Sequence, residues 1–413
     1  MPDFSNDCSF SPYKFSSDRP RSPLRLIAVG LCCGVLGGLS ACSEAGRSEH
    51  SASYHESGIM LSAGDRAQIA DRFTDWIEQQ RQQHDIPGIA VAVVDDSGPI
   101  LQAGFGERDR AQQLPVTTDT LFHIGSTHKS LTALLVATLV DEGVVDWDTP
   151  VITIDPDFEL TDPDSTATVT LRHLLSMSSG IPDEAEADFD LDTATAADVF
   201  DYSATIELLA APGEVFSYSN LATALAGYLT VIAADELTDD LYAGYAELLQ
   251  RQILTPLGMT RSTILASQAQ ADDNYAQPYI LEAGDLVPAA TEDFDGDALA
   301  PAGSLKASIA DMARYMQMQV NRGVMANGDR LVSAENLLET WQPTWGDYAM
   351  GWEQQTYAGV EFIAHEGAYD NFLSVIAIIP DYDLGLVILT NSEDTASELV
   401  ADAPQVLIEL LLE

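Results

Sequence analysis

The sequence predicts an α+β protein in which one antiparallel sheet is built from both ends of the chain. Strand patterns occur at 89–101 and again after residue 348, whereas the residues between them have mostly helical patterns. We therefore expect residues 63–125 and 300–413 to form an α/β part with flanking helices. Residues 126–299 form an inserted, mostly helical part, and the cleft between the two parts is the default site.

Each element follows from the spacing of apolar residues and from the turn residues that bound it. Helices are expected at 65–84, 131–140, 171–177, 205–211, 221–234 and 395–412, the last interrupted at Pro404. Strands are expected at 89–94, 100–101, 360–364, 372–379 and 384–390. The helix at 131–140 is apolar almost all round, which predicts that it is buried in the middle of the domain.

Residues 1–41 have the pattern of an export signal, with basic residues ahead of an apolar, small-residue stretch. The stretch ends in Leu39-Ser40-Ala41-Cys42, which resembles a bacterial lipobox and implies a lipid anchor at Cys42. We therefore expect an exported protein tethered to the cell envelope, on its periplasmic or extracellular face. Residues 42–62 are expected to be the flexible tether. All the cysteines lie at or before Cys42, so disulfide and thiol chemistry are excluded from the domain itself.

The net charge is −47, from 65 acidic and 18 basic residues, which excludes nucleic acid and anionic membrane surfaces as partners. Such acidity is typical of a solvated surface that stays soluble in high salt. The sequence has no phosphate-binding glycine loop and no clustered Cys/His spacing, so no cofactor and no metal are expected. Asp293, Asp295 and Asp297 alternate like the start of a calcium loop, but Gly296 is misplaced, which favours a solvated loop.

Lysine is rare in this chain, and Lys129 stands three residues after Ser126. If Ser126 opens a helix, the two side chains share one face, and the amine can activate the hydroxyl as a nucleophile. The same spacing occurs at Ser11 and Lys14, inside the predicted export signal. The spacing therefore carries weight only together with the other groups that acyl transfer requires.

Three short motifs supply those groups: Ser126-Thr127-His128-Lys129, Tyr218-Ser219-Asn220 and His365-Glu366-Gly367. In this order they resemble the serine β-lactamase and penicillin-binding protein family. The resemblance is strongest to the branch with class C β-lactamases, D-Ala-D-Ala carboxypeptidases, D-aminopeptidases and esterases. Further similar phrases are 121–126, 173–182, 212–220 and 301–304, and the resemblance spans about residues 63–400. It implies the β-lactamase/transpeptidase-like fold.

The resemblance also implies a role for each residue. Ser126 becomes acylated, and either Lys129 or Tyr218 accepts its proton, a choice that the sequence leaves open. Asn220 orients the substrate amide and the Lys129 amine. The backbone amides of Ser126 and Ala368 form the oxyanion hole. Gly367 leaves room for substrate along its strand.

His365 and Glu366 depart from the commonest form of the third motif, in which a lysine precedes Thr-Gly or Ser-Gly. Histidine is mostly neutral at pH 7 and Glu366 adds negative charge, so β-lactams and peptides with a free carboxylate are expected to be poor substrates. We therefore expect a serine hydrolase for an ester or amide, with a small molecule or a D-amino-acid peptide as its substrate. The alternatives are a β-lactamase or D-Ala-D-Ala carboxypeptidase and, in another class, a non-catalytic cell-wall peptide-binding protein. The oligomeric state stays open.

Overall fold

The structure is a computed structural model that describes residues 59–191, 193–234 and 240–413. The predicted export signal at 1–41, Cys42 and nearly all of the predicted tether lie outside the described residues. Within the described ranges, no helix combines the length and the apolar character needed to cross a membrane.

A seven-stranded antiparallel sheet joins the two ends of the described chain, as the sequence predicts. Its order is β3-β2-β1-β11-β10-β9-β8. The junction is the pairing of β1 with β11, in which Ile89 lies opposite Thr390. The described strands are β1 Gly88–Asp95, β2 Gly98–Asp109, β3 Leu114–Pro115, β4 Leu121–His123, β5 Tyr279–Glu282, β6 Asp285–Pro288, β7 Lys306–Ser308, β8 Glu353–Tyr357, β9 Val360–Tyr369, β10 Phe372–Ile379 and β11 Leu384–Thr390.

Helices cover both faces of the sheet, which explains why β1, β10 and β11 are buried along their whole length and are mostly apolar. The described α-helices are α1 Ala63–Gln83, α2 Lys129–Asp141, α3 Val151–Ile154, α4 Pro163–Thr168, α5 Leu171–Leu175, α6 Ala196–Ser203, α7 Asn220–Ala233, α8 Leu241–Leu249, α9 Thr255–Leu257, α10 Ala266–Gln270, α11 Ala300–Gly303, α12 Ile309–Val320, α13 Ala334–Glu339 and α14 Glu393–Leu412. Helices α1 and α14 pack on one face, and α12 packs on the other.

Two buried helices form the centre of the helical part, and each begins at a predicted site residue. Helix α2 starts at Lys129 and α7 starts at Asn220, and the two helices contact each other. Helix α11 packs on α7 at Gly227, where a Cβ would lie 2.3 Å from the side chain of Pro301. The start of α2 meets the start of α7 and α11 through Lys129, whose Nζ contacts Asn220 and Ala302.

Two local predictions were wrong, and one pair of strands was not predicted. Residues 205–211 are not helical, because Leu209 and Gly213 donate their backbone hydrogen bonds to Gly180 and Ser178 and run beside that segment. Helix α14 continues through Pro404, since its apolar face is buried on the sheet on both sides of the proline. The predicted helical part also contains the β5–β6 hairpin, whose turn is made by Ala283 and Gly284 with positive φ angles.

Candidate active site

Ser126 lies in a 3₁₀ turn, Gly125–His128, that leads directly into α2. Gly125 has a φ of 54°, and a Cβ there would lie 2.7 Å from the backbone nitrogen of Ala368. Glycine at this position therefore lets the turn pack against β9. Because the turn continues as a helix, Ser126 and Lys129 share one face, as the spacing predicts.

The Lys129 ammonium group is enclosed, with only 1% of the residue exposed. Its Nζ lies 2.9 Å from Ser126 Oγ, 2.6 Å from Asn220 Oδ1 and 2.9 Å from the carbonyl oxygen of Ala302. Burial lowers the pKa of Lys129 to about 7, and the negative charge of Glu186 opposes that shift. Near neutral pH the side chain is therefore close to its midpoint between ammonium and amine.

The three partners of Nζ decide where a neutral amine directs its lone pair. A neutral amine has two N–H groups and one lone pair, and the oxygens of Asn220 and Ala302 can only accept hydrogen bonds. Both N–H groups are therefore used, and the lone pair faces the Ser126 hydroxyl, which can donate and accept. This arrangement allows Lys129 to take the proton of Ser126.

Tyr218 is the second candidate for the proton acceptor, and its surroundings favour a different role. Its hydroxyl is hydrogen-bonded to Ser126, and its ring centroid lies 5.0 Å from Lys129 Nζ. Burial raises the pKa of Tyr218, and Glu186, Glu353 and Asp183 raise it further. The phenol therefore keeps its proton and is a donor beside the nucleophile.

Asn220 connects Lys129 to a residue that the sequence motifs do not mark. Its Nδ2 donates to Glu186 Oε2 at 2.9 Å, and its backbone N–H donates to Glu186 Oε1 at 2.6 Å. Glu186 lies in the 3₁₀ turn Asp183–Asp188. In a chain with 65 acidic residues, one more glutamate in an acidic stretch gives no signal by itself. Only the fold places it beside α7.

The predicted oxyanion donors are the backbone amides of Ser126 and Ala368, which belong to two adjacent segments. The nitrogen of Ala368 faces the Gly125 backbone from β9, next to the turn that carries the Ser126 amide. Gly367 has a reason beyond the substrate access that the sequence suggests. A Cβ on it would lie 2.2 Å from the carbonyl oxygen of Ile124, so glycine is required for β9 to pack against the residues before the nucleophile.

His365 is buried, and both of its ring nitrogens have protein partners. Nδ1 donates to the carbonyl oxygen of Glu366 at 2.5 Å, so Nε2 accepts from the Tyr348 hydroxyl at 3.1 Å. Burial lowers the pKa of His365 to about 4, and the charge of Lys129 adds to this effect. At neutral pH it is an uncharged group that fixes Tyr348.

Aromatic side chains lie next to this group, whereas Glu366 points to the opposite face of β9. Burial and the nearby charge of Glu353 together raise the pKa of Glu366 to about 7. Phe216 is 43% exposed, and its ring centroid lies 5.5 Å from that of Tyr348, which in turn lies 6.1 Å from that of Tyr218. The rings therefore form a continuous row from the surface to the phenol of Tyr218.

A second buried lysine lies behind the nucleophile turn. Lys306 Nζ lies 2.5 Å from Asp293 Oδ2 and donates to the carbonyl oxygen of Ile264 at 3.2 Å. Asp297 accepts a hydrogen bond from Ser304. The expectation of a solvated loop at 293–297 was therefore wrong for Asp293 and Asp297, which are buried because Lys306 and Ser304 lie opposite them.

The Lys306–Asp293 pair is linked to the nucleophile turn through His123, whose Nε2 lies 3.9 Å from Asp293 Oδ1. His123 accepts a hydrogen bond from the Gly125 backbone through Nδ1 at 3.3 Å, and its ring stacks on Tyr369 at 4.0 Å between centroids. Across the described ranges, no group of three or more His, Cys, Asp or Glu residues could hold a metal ion.

Comparison with known proteins identifies the family. The family model described as Beta-lactamase matches residues 73–411. Penicillin-binding protein 4 of Amycolatopsis lactamdurans is 30% identical over 79% of this chain and 85% of its own length. An unguisins hydrolase of Aspergillus campestris is also 30% identical over 79% of this chain, which spans only 62% of that protein.

A solved structure agrees with these sequence relatives. The octameric penicillin-binding protein homologue from Pyrococcus abyssi matches with a TM-score of 0.70 and 27% identity, over 82% of this chain and 77% of that one. The enclosed amine beside a serine at a helix start, the fold and these relatives lead to one conclusion: the chain belongs to the beta-lactamase family, whose fold it has, and is a serine hydrolase of that family.

Proposed function

We propose that this protein hydrolyses uncharged or cationic esters or amides, including D-amino-acid peptides, through an acyl-enzyme on Ser126. The observation that carries the proposal is the direction of the Lys129 lone pair, which faces the Ser126 hydroxyl because both N–H groups are used elsewhere. The substrate carbonyl lies between the backbone amides of Ser126 and Ala368, which stabilise its oxyanion.

The proposed reaction balances its protons over two side chains. Lys129 takes the Ser126 proton as the Oγ–carbon bond forms. Tyr218 gives its proton to the leaving oxygen or nitrogen as that bond breaks, and the Lys129 ammonium restores the phenol. Water then attacks the acyl-enzyme and gives a proton to neutral Lys129. As the acyl–Oγ bond breaks, Lys129 returns this proton to Ser126 Oγ, and the acid is released. Both groups are hydrogen-bonded to Ser126, which supports this sequence of transfers.

The surroundings of the site support a substrate without a carboxylate. His365 is neutral and both of its ring nitrogens are occupied, so the third motif offers no cation to a substrate carboxylate. The exposed rings of Phe216 and Trp345 favour an apolar or aromatic acyl group. A β-lactamase or D-Ala-D-Ala carboxypeptidase is the second candidate, favoured by the two relatives that are named as penicillin-binding proteins. The intact set of Ser126, Lys129 and Tyr218 argues against a non-catalytic binding protein.

Intact-mass measurement at high salt separates these candidates. The protein is incubated with a fluorophosphonate and, separately, with a penicillin, and Ser126→Ala is the matched control. An adduct with the fluorophosphonate alone supports the esterase or aminopeptidase function. Adducts with both reagents support the second candidate. Absence of both adducts in folded protein supports the binding protein.

We also propose that the domain is held at the cell envelope by a lipid on Cys42, because that cysteine ends a lipobox-like sequence. Expressed with its full N-terminus, the protein should fractionate with membranes. The Cys42→Ala variant should lose the lipid mass; retention of that mass would contradict the proposal.

A further inference from the structure

The Glu186 carboxylate is hydrogen-bonded to Asn220 and to the start of α7. Oε1 accepts hydrogen bonds from the backbone N–H of Asn220 at 2.6 Å and of Leu221 at 3.3 Å. Oε2 accepts from Asn220 Nδ2 at 2.9 Å. One carboxylate oxygen therefore caps the helix, and the other holds the side chain of Asn220.

The orientation of the Asn220 amide follows from its two neighbours. A carboxylate can only accept hydrogen bonds, so the NH₂ group of Asn220 must face Glu186. Oδ1 then faces Lys129, where it lies 2.6 Å from Nζ. With the amide reversed, the NH₂ group would face the Lys129 amine and would compete with Ser126 for its lone pair.

We propose that Glu186 is a positioning residue that holds the Asn220 amide oxygen toward Lys129 and thereby directs the lone pair of Lys129 to Ser126. This inference rests on the proposed function, because it assigns a role within the same proton transfer. Glu186 touches neither the substrate nor Ser126 in this arrangement; it acts through Asn220.

The substitution Glu186→Gln separates the two contacts of Glu186. The glutamine oxygen still caps α7, but its NH₂ group meets the NH₂ group of Asn220, and two donors cannot bond. Asn220 then turns over and presents Nδ2 to Lys129. In the double variant Glu186→Gln/Asn220→Asp, the carboxylate at residue 220 accepts hydrogen bonds from both the amide at residue 186 and Lys129. Donors again meet acceptors, and the negative charge now lies next to the Lys129 amine.

The same pair of variants moves the pKa of Lys129 in opposite directions. Burial lowers this pKa and Glu186 raises it, so removing the Glu186 charge should lower it further. Placing the charge on residue 220 should raise it above the wild-type value. The other titratable groups near this pair are His128 and His365, which sense the charge of Lys129, and Tyr218, which senses that of Glu186. Asp183 and Glu353 act in turn on Tyr218.

The test measures the rate of Ser126 modification by a fluorophosphonate across pH for wild type, Glu186→Gln and the double variant. Loss of one hydrogen bond to a charged group predicts an alkaline plateau about 10- to 100-fold lower in Glu186→Gln. The double variant should recover the plateau to within about threefold, with its acid limb at higher pH. Asp188→Asn removes a charge from the same turn at an exposed position and should leave the plateau unchanged. A wild-type plateau in Glu186→Gln, or a double variant no faster than Glu186→Gln, overturns the proposal.

A second measurement does not depend on catalysis. In protein labelled with ¹³C at the lysine Cε atoms, the chain gives at most three lysine signals, and the Lys129 signal is the one absent from Lys129→Met. Its pKa should follow the order Glu186→Gln, wild type, double variant, from lowest to highest. If wild type is not modified at Ser126 but this order holds, the proposed function fails and the coupling stands. An unchanged pKa in both variants refutes the coupling.

Discussion

The two buried lysines of the domain, Lys129 and Lys306, differ mainly in the charge of the group that each one meets. Both are enclosed, at 1% and 0% exposure. Nζ of Lys129 is held by three neutral oxygens, whereas Nζ of Lys306 lies 2.5 Å from the carboxylate of Asp293. Burial lowers the pKa of both.

The two lysines differ in how strongly a nearby negative charge opposes this lowering of the pKa. For Lys306 the direct partner Asp293 opposes it through both its charge and its hydrogen bond, which favours the ammonium form. For Lys129 the opposing charge of Glu186 acts from beyond Asn220. The comparison indicates that burial alone does not decide the charge of a lysine. A carboxylate partner stabilises the ammonium form far more than neutral oxygens do, so we expect Lys129 rather than Lys306 to act as a base.

The largest effect is expected on removal of the amine that has neutral partners. Lys129→Met should slow the modification of Ser126 by a fluorophosphonate about 10²- to 10⁴-fold, the usual contribution of a general base. The rate is measured on protein whose thermal unfolding is intact, with Ser126→Ala as the zero-rate reference. A rate within threefold of wild type would give the role of base to another group.

Removal of the other lysine should affect stability instead. Lys306→Met leaves the Asp293 carboxylate buried and unpaired, which should lower the free energy of unfolding by about 3–5 kcal/mol in a denaturant titration. Lys306→Met/Asp293→Leu removes both charges and should recover most of this loss. The modification rate of the folded protein should change far less than in Lys129→Met.

The pH dependence of stability should single out Lys129. In the folded protein the pKa of Lys129 is about 7, below its usual value of 10.5. As the pH falls from about 10.5 to 7, the unfolded chain therefore binds a proton at Lys129 before the folded protein does, and the wild type loses stability. Lys129→Met lacks this loss. Its stability relative to wild type should therefore rise by about 2 to 4 kcal/mol between pH 10 and pH 6. A constant difference across this range would mean that Lys129 is charged in the folded protein.

The smallest effect is expected on the rate of acylation by a penicillin, when a third lysine is placed in the cleft at residue 365. In His365→Lys/Glu366→Thr a cation replaces a neutral ring and a carboxylate is removed, which should speed acylation by a penicillin about tenfold. His365→Gln/Glu366→Thr is the matched neutral control. Equal penicillin rates in the two variants would show that charge at residue 365 does not limit carboxylate recognition.

The sequence was sufficient to predict those features of the site and the fold that depend on local spacing or on a long apolar pattern. Lys129 follows from its distance to Ser126, and the central sheet follows from the apolar runs that became β1, β10 and β11. Glu186 could not be predicted, because its role arises from a turn that packs on α7 far along the chain. The pairing of Lys306 with Asp293 was missed for a related reason, since an acidic loop is normally solvated and only the fold shows the cation opposite it. Too few residues of the hairpin at 279–288 are buried for its sequence to show the strong alternation of apolar and polar residues that predicts strands.

Because both lysines after the predicted tether are enclosed, the folded domain presents no lysine side chain on its surface. A protease that cuts only after lysine can reach residues 129 and 306 only when the core opens. The rate of cleavage at these two peptide bonds therefore reports how often each region opens. Amine-reactive dyes or cross-linkers should not modify the native domain beyond its N-terminal segment.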